Sequence, residues 1–348
     1  MDTTMTSSNQ KSWLDYLRSV GAVVAVIIII GIIYGYATNP SVTTAVLAST
    51  LRQSTPLVLG ALCGLIGERS GIVNIGIEGQ MLLAAFVAFL ANVYIGQLDI
   101  FPLGMTLFLA VLVGVLMGAL LGGFLGLMSI GLKMDQIIGG TVINILALGL
   151  TSFFYQAGLT TQGKLQPINF GSLAEIPLIG PILFNNPPIT YATLVLVVLV
   201  HFVLFHTRWG LRTRVIGEHP SAADTVGINV HMMRYVNVII AGAIAGLAGS
   251  YLTLEAVGSF ERAMTNGRGF VALAVMLFGK RTPLGAWGAA LLFGFATALQ
   301  TQLQFGGQIN IPHQFIGMLP YVLTILVLAG FVGRSRDPKA LGQVYETE

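Results

Sequence analysis

Charge is what this sequence has least of. Only 9% of its 348 residues are Asp, Glu, Lys or Arg, against about 25% in a soluble globular protein, so the chain cannot cover itself against water. Cysteine is nearly missing: Cys63 stands alone inside an apolar run, which excludes a disulfide scaffold. No GxxxxGK[ST] phosphate cradle occurs, and the nearest approach, Gly279-Lys280-Arg281-Thr282, lacks the upstream glycine. There is no HExxH and no GxSxG, and His201, His206, His219, His231 and His313 are scattered without metal-ligand spacing. No catalytic residue, metal site or bound cofactor is therefore expected on the chain itself, and no nucleic-acid partner.

What the sequence has in excess is apolar surface and glycine: 55% hydrophobic residues, 43 glycines and a mean hydropathy of +0.82. The expected fold is an all-α polytopic membrane protein. Spans of about 20 apolar residues each are read at about 20–37, 53–67, 75–97, 103–130, 136–157, 189–206, 235–256, 266–279, 284–304 and 314–332, which makes about ten transmembrane helices. The first is taken as a retained helix, because no small-x-small cleavage site follows it. The eighth is short enough to be re-entrant instead.

Basic residues stay on the cytoplasmic side. With both termini inside, Lys11, Arg18, Arg69, Lys133, Arg208, Arg212, Arg214, Arg234, Lys280, Arg281, Arg334, Arg336 and Lys339 fall inside, and only Arg52, Lys164, Arg262 and Arg268 outside. The expected organisation is a cytoplasmic segment 1–18, one transmembrane domain 19–333 with an inner loop at 207–234, and a cytoplasmic tail 334–348. The outer loop Gly158 to Pro188 carries Pro167, Pro177, Pro181, Pro187 and Pro188, which predicts irregular or at most interfacially helical structure.

Lipid is as apolar as leucine, so membrane helices associate through small residues. Gly114, Gly118, Gly122 and Gly126 lie at i, i+4 spacing and lay a groove along one helix face, and Ala241, Gly242, Ala245, Gly246 and Gly249 repeat the device in the seventh span. Polar residues at membrane depth are costly and face a bundle interior or a wet path. Thr141, Asn144, Thr151 and Tyr155 fall within about 80° of arc on the fifth span, and Thr297, Gln300, Thr301 and Gln304 within about 100° on the ninth, at 100° per residue. Two such stripes point to a translocation pathway, against the competing reading of hydrogen bonds across helix contacts. The stretch GERSGIVNIGIEGQ from Gly67 to Gln80, with Asn74 and Glu78, predicts a tight inner turn and a broken helix start. Glu78 pairs with a cation or caps exposed amides, and a structural role is the expected one.

Transport is the default function of such a bundle. An ion-coupled carrier acting alone, a membrane enzyme and an assembly scaffold are the alternatives. The acidic residues lie mostly near span ends rather than at mid-membrane, which sets the energy source outside the chain.

The inner loop is different in kind. In VIGEHPSAADTVGINVHMM, Pro220 suits a first helical position and Gly227 a C-terminal stop, predicting a helix of about two turns. Ala222, Ala223 and Gly227 are too small for a helix resting on lipid and suit docking into a protein groove. The segment GEHPSAADTVGINV resembles the coupling segment of permease subunits of ABC importers of the branched-chain amino acid, ribose and nucleoside type. The resemblance extends to GERSGIVNIGIEGQM, DQIIGGTVINILALGL, RGFVALAVMLFGKRTPLGAWGAALLFGFATALQ and MLPYVLTILVLAG, and is greatest to the second permease of the simple sugar and nucleoside branch. It implies a multi-pass subunit of a bacterial or archaeal cell membrane, in contact with lipid. Its partners would be a second, homologous permease, a cytoplasmic ABC ATPase that uses ATP and Mg²⁺, and an extracytoplasmic substrate-binding lipoprotein. It also implies that Gly217, Glu218, Pro220, Ala222, Ala223, Asp224 and Gly227 form the helix that meets the ATPase.

Overall fold

The computed structural model describes residues 29–305 and 336–346, with Val26, Met318 and Val322 besides. In chain order the helices are α1 (Ile29–Thr38), α2 (Pro40–Arg69), α3 (Ile77–Gln97), α4 (Leu103–Gly126), α5 (Gln136–Phe154), α6 (Ile179–Leu183), α7 (Pro188–His206), α8 (Arg208–Glu218), α9 (Pro220–Thr225), α10 (Val230–Ser250), α11 (Arg268–Phe278) and α12 (Pro283–Phe305). Two of them run on with wider i→i+5 turns: α4 into Leu127–Gly131 and α10 into Tyr251–Val257. The chain divides into two compact units, one of Met1–Ser54, Asn169–Asn185 and Leu291–Ser335, the other of Thr55–Ile168, Asn186–Ala290 and Arg336–Glu348.

Six described helices are long and apolar enough to cross a membrane: α3, α4 and α10 with the latter two's extensions, α5, α7 and α12. Of the about ten spans expected, the one at 314–332 lies outside the described residues apart from Met318 and Val322, and the one at 20–37 is described only from α1 onward. The second expected span belongs to a 30-residue helix whose first half carries Arg52 and Gln53. The eighth, α11, has only 11 residues, which gives about 16 Å at 1.5 Å per residue, half a bilayer core. The proline-rich loop Gly158 to Pro188 holds two two-residue strands, one short turn of helix and the five-residue α6, as its prolines require.

The second unit is assembled on α3, α4 and α10. The glycine stripe of α4 lies on the small residues of α10 with backbone against backbone. A methyl group on Gly118 would overlap the Gly242 carbonyl oxygen, one on Gly122 the Val238 carbonyl, and one on Gly246 the Gly114 carbonyl. Gly126 ends the stripe against the Tyr235 ring, 3.0 Å from where a methyl carbon would sit. Helices that approach this closely gain dispersion contact along their whole length, which replaces the hydrophobic drive that lipid cannot supply.

Around this centre the backbone is broken twice, and each break is met by a side chain. Between α2 and α3 the chain leaves the helix at Ser70 and resumes at Ile77. Asn144 of α5 spans the gap: its Oδ1 accepts from Gly79 N at 2.7 Å and its Nδ2 donates to the Ile75 carbonyl at 3.1 Å. Gly76, Gly79 and Gly140 let the two backbones meet there, since a methyl on Gly140 would stand 2.7 Å from Gly76 N. The second break follows α10. Residues 258–267 are irregular, held through Phe260 against Phe86 and Phe89 of α3, and α11 then begins at Arg268 with Glu78 at its start. The two carboxylate oxygens of Glu78 accept from Gly267 N at 2.8 Å and Gly269 N at 2.7 Å, where a helix N-terminus carries orphan donors and the positive end of its dipole. The far side of α11 packs on α2, where a methyl on Gly64 would lie 3.1 Å from the Met276 sulfur.

In the first unit α12 packs on α2 by the same device, with Gly294 against Ser54 and the Thr50 carbonyl, and Arg52 Nη2 donates to the Asn185 carbonyl at 2.8 Å.

Gly118→Val forces the α4 and α10 backbones apart and costs about 3 kcal/mol of stability, read as a lowered unfolding temperature in detergent. Gly123→Ala, whose methyl meets nothing nearer than 3.6 Å, leaves it level or raises it. Glu78→Ala strips two charge-assisted bonds worth about 2 kcal/mol, and hydrogen exchange accelerates selectively over residues 268–278.

Candidate functional site

The segment 207–229 folds as two short helices. Thr207 starts α8, its Oγ1 accepting from Gly210 N at 3.2 Å, and His219 leaves helical geometry to separate α8 from α9. Pro220 is the first residue of α9, and the turn ends at Gly227, whose φ of +80° suits glycine alone without strain. Asn229 then caps α10, accepting from Met232 N at 2.8 Å. The sequence predicts α9 and its stop; α8 as a helix of its own is new, and Thr207 followed by the Arg208–Glu218 run was the signal for it.

The loop has an inner and an outer face. Ile216, Ala223, Val230 and Met233 form a buried cluster with Trp209, Val215, Ile228 and Tyr345 packed on it. Gly217 is buried where a methyl would overlap the Arg69 carbonyl, so α8 lies directly on the end of α2. Ser221, Ala222, Thr225, Val226 and Gly227 face outward, Val226 at 73% exposure. Ala222 and Ala223, adjacent in sequence, thus sit on opposite faces. Glu218 Oε2 accepts from Lys339 N at 3.3 Å and Asp224 Oδ2 from the Tyr345 hydroxyl at 2.8 Å, so neither acid is idle. The exposed face is small, neutral and slightly apolar.

The expected pathway residues fall into three environments. Asn74 is buried, its Nδ2 donating to Gln80 Oε1 at 3.0 Å and facing Cys63 Sγ at 3.5 Å. Glu78 and Asn144 are engaged by backbone as described. Thr151 is fully buried and returns its hydroxyl to the Ala147 carbonyl, whereas Thr141 is exposed and bonds the Ile137 carbonyl. On α12, Thr297 and Thr301 donate to the carbonyls four residues back. Gln300 and Gln304 are half-buried, and among the described residues their amides have no hydrogen-bond partner.

A carboxylate missed at the sequence level completes the picture. Glu255, 5% exposed, accepts from Ile189 N at 2.7 Å, Thr190 N at 3.1 Å and Thr190 Oγ1 at 2.7 Å, and so caps α7. Glu68 pairs with Arg281 at 2.5 Å, and Arg69 Nη2 donates to the Arg281 carbonyl at 2.8 Å. The described buried carboxylates therefore serve as helix caps or ion-pair partners. A cavity of about 430 Å³ lined by Leu196, Val200, Trp209 and Ile244 does not suit a polyhydroxylated solute, because its one amide, Asn237, is taken by Trp209 Nε1 and Thr213. Among the described residues no cluster of His, Cys, Asp and Glu could hold a metal ion.

Residues 46–328 match the family described as the permease component of the branched-chain amino acid transport system. The guanosine ABC transporter permease protein NupQ of Bacillus subtilis is 40% identical over 314 residues, covering 86% of this chain and 96% of that protein. The nucleoside ABC transporter permease protein NupC of Lactococcus lactis is 39% identical, with 86% and 96% covered. The putative glucose ABC transporter permease protein TsgC13 of Haloferax volcanii is 32% identical, with 88% and 99% covered. No solved structure matches. With several helices long enough to cross a membrane and a match over most of its length, the chain belongs to the family of permease components of ABC transport systems of the branched-chain amino acid type.

Proposed function

We propose that the chain is the membrane-embedded subunit of an ATP-driven importer of nucleosides. The observation that carries the substrate class is the 40% identity, nearly end to end, with a guanosine permease. The observation that supports the energy source is chemical: Glu78, Glu255 and Glu68 are held by backbone amides or by Arg281, so no buried carboxylate described is left to carry a coupling proton or cation. The work is done by a separate cytoplasmic ATPase using ATP and Mg²⁺.

In this reading α9 presents Ala222, Thr225, Val226 and Gly227 to a groove of the ATPase. Closure of the ATPase on ATP displaces α9, and α8, seated on the end of α2 through Gly217, passes the shift to the membrane helices. The chain works as half of a pair with a second, homologous permease, and a binding lipoprotein delivers solute from outside. About ten spans with both termini in the cytoplasm is the topology we propose. It puts Arg69, Lys133, Arg234 and Arg281 at the inner end and Lys164, Arg262 and Arg268 toward the outer one. The amides of Gln300 and Gln304, without a hydrogen-bond partner among the described residues, suit the hydroxyls of a ribose. The glucose permease relative makes a simple sugar the second substrate reading.

Proteoliposomes holding the full complex should take up guanosine when ATP is inside with the ATPase, and excess glucose should not compete. Ala222→Glu, on the exposed face, should cut uptake about tenfold, the scale of a coupling free energy between linked sites, with basal ATP hydrolysis retained. Uptake by the purified chain alone that collapses with an ionophore would establish the ion-coupled carrier instead. In a chain whose native Cys63 is fully buried, Gln300→Cys should react with a membrane-impermeant thiol reagent in at least one nucleotide state, and its protection in every state would remove α12 from the pathway.

A further inference from the structure

Residues 336–346 pack on the second unit and touch two separate parts of it. Three contacts reach the coupling segment: Ala340 N donates to the Gly217 carbonyl at 3.0 Å, Lys339 N to Glu218 Oε2, and Tyr345 Oη to Asp224 Oδ2. Three others reach the inner helix ends: Asp337 pairs with Arg281 at 2.7 Å, Gly342 N donates to the Gly71 carbonyl at 3.0 Å, and the Gln343 carbonyl accepts from Arg234 Nη1 at 3.1 Å. Pro338 and Ala340 are buried in the process.

Arg234 makes the attachment more than a resting tail. It is 2% exposed and, among the described residues, forms no ion pair. Its guanidinium is held by two carbonyls, Ser70 at the end of α2 and Gln343 of the tail. A buried cation without a carboxylate depends on such acceptors, and the tail supplies one of the two.

The segment it holds needs holding. Helix α9 has six residues, its only buried side chain is Ala223, and it meets α8 at the non-helical His219. A push on α9 by itself would be absorbed at that joint. We propose that residues 337–345 are a positioning strap that fastens α9 to α8 and both to the inner ends of α2 and α10, so that a displacement of α9 is delivered to the membrane helices. This rests on the reading that α9 meets the ATPase.

The test is made in the reconstituted complex by measuring ATP hydrolysed per solute taken up. A chain ending at Arg336 should assemble and hydrolyse ATP with that ratio raised about tenfold, Tyr345→Phe should raise it less, and Val344→Ser, on the exposed side of the tail, should leave it unchanged. An unchanged ratio in the shortened chain overturns the strap. If the shortened chain fails to assemble, the pair Asp224→Cys and Tyr345→Cys in a Cys63→Ala background decides. Uptake that survives oxidative cross-linking supports a strap that stays fastened through the cycle, and uptake lost on oxidation and restored by reductant overturns it. Absence of ATP-dependent uptake by the wild-type complex would overturn the importer reading beneath it, whereas failure of the strap alone leaves wild-type uptake intact.

Discussion

A backbone amide without a partner inside hydrocarbon costs several kcal/mol, and this chain breaks its helices at membrane depth all the same. The structure survives because a few side chains take over the bonding that the helix ladder drops. Asn144 closes the gap before α3, Glu78 caps α11 and Glu255 caps α7. The positions of α3, α5, α7 and α11 depend on these bonds. Close packing, with Gly118 and Gly242 backbone to backbone, sets distances; the polar bonds set register and stop the broken segments from sliding.

The same bonds fix the acids themselves. Glu78 and Glu255 accept from backbone amides of other helices, and Glu68 pairs with Arg281. Acids fixed in this way make a scaffold that moves as blocks. A bundle of blocks joined by irregular segments transmits displacement well, and in the proposed importer that displacement comes from a separate ATPase.

Much of this was legible in local pattern. Four glycines at i, i+4 announce a close helix contact and the small residues of α10 another; that the two are one contact is seen only in the structure. Pro220 and Gly227 mark the limits of α9, and the glycines between Gly67 and Gln80 mark a break. The shortness of the 266–279 run matches the 11 residues of α11. What local pattern does not carry is the identity of a distant partner. Asn144 and Glu78 stand out as polar residues at depth, but the bonds they make run to residues 65 to 69 and 189 to 191 positions away, and nothing in periodicity points across that distance. Glu255 escaped for the same reason. The tail was opaque because an irregular segment has no period at all, and its contacts with Gly217 and Asp224 are 123 and 121 residues distant in the chain.

The way Arg234 is held gives the tail a further meaning. A guanidinium that is 2% exposed and bonded to the Ser70 and Gln343 carbonyls cannot lose one of those acceptors without a replacement. Releasing the tail and admitting water to Arg234 are therefore the same event.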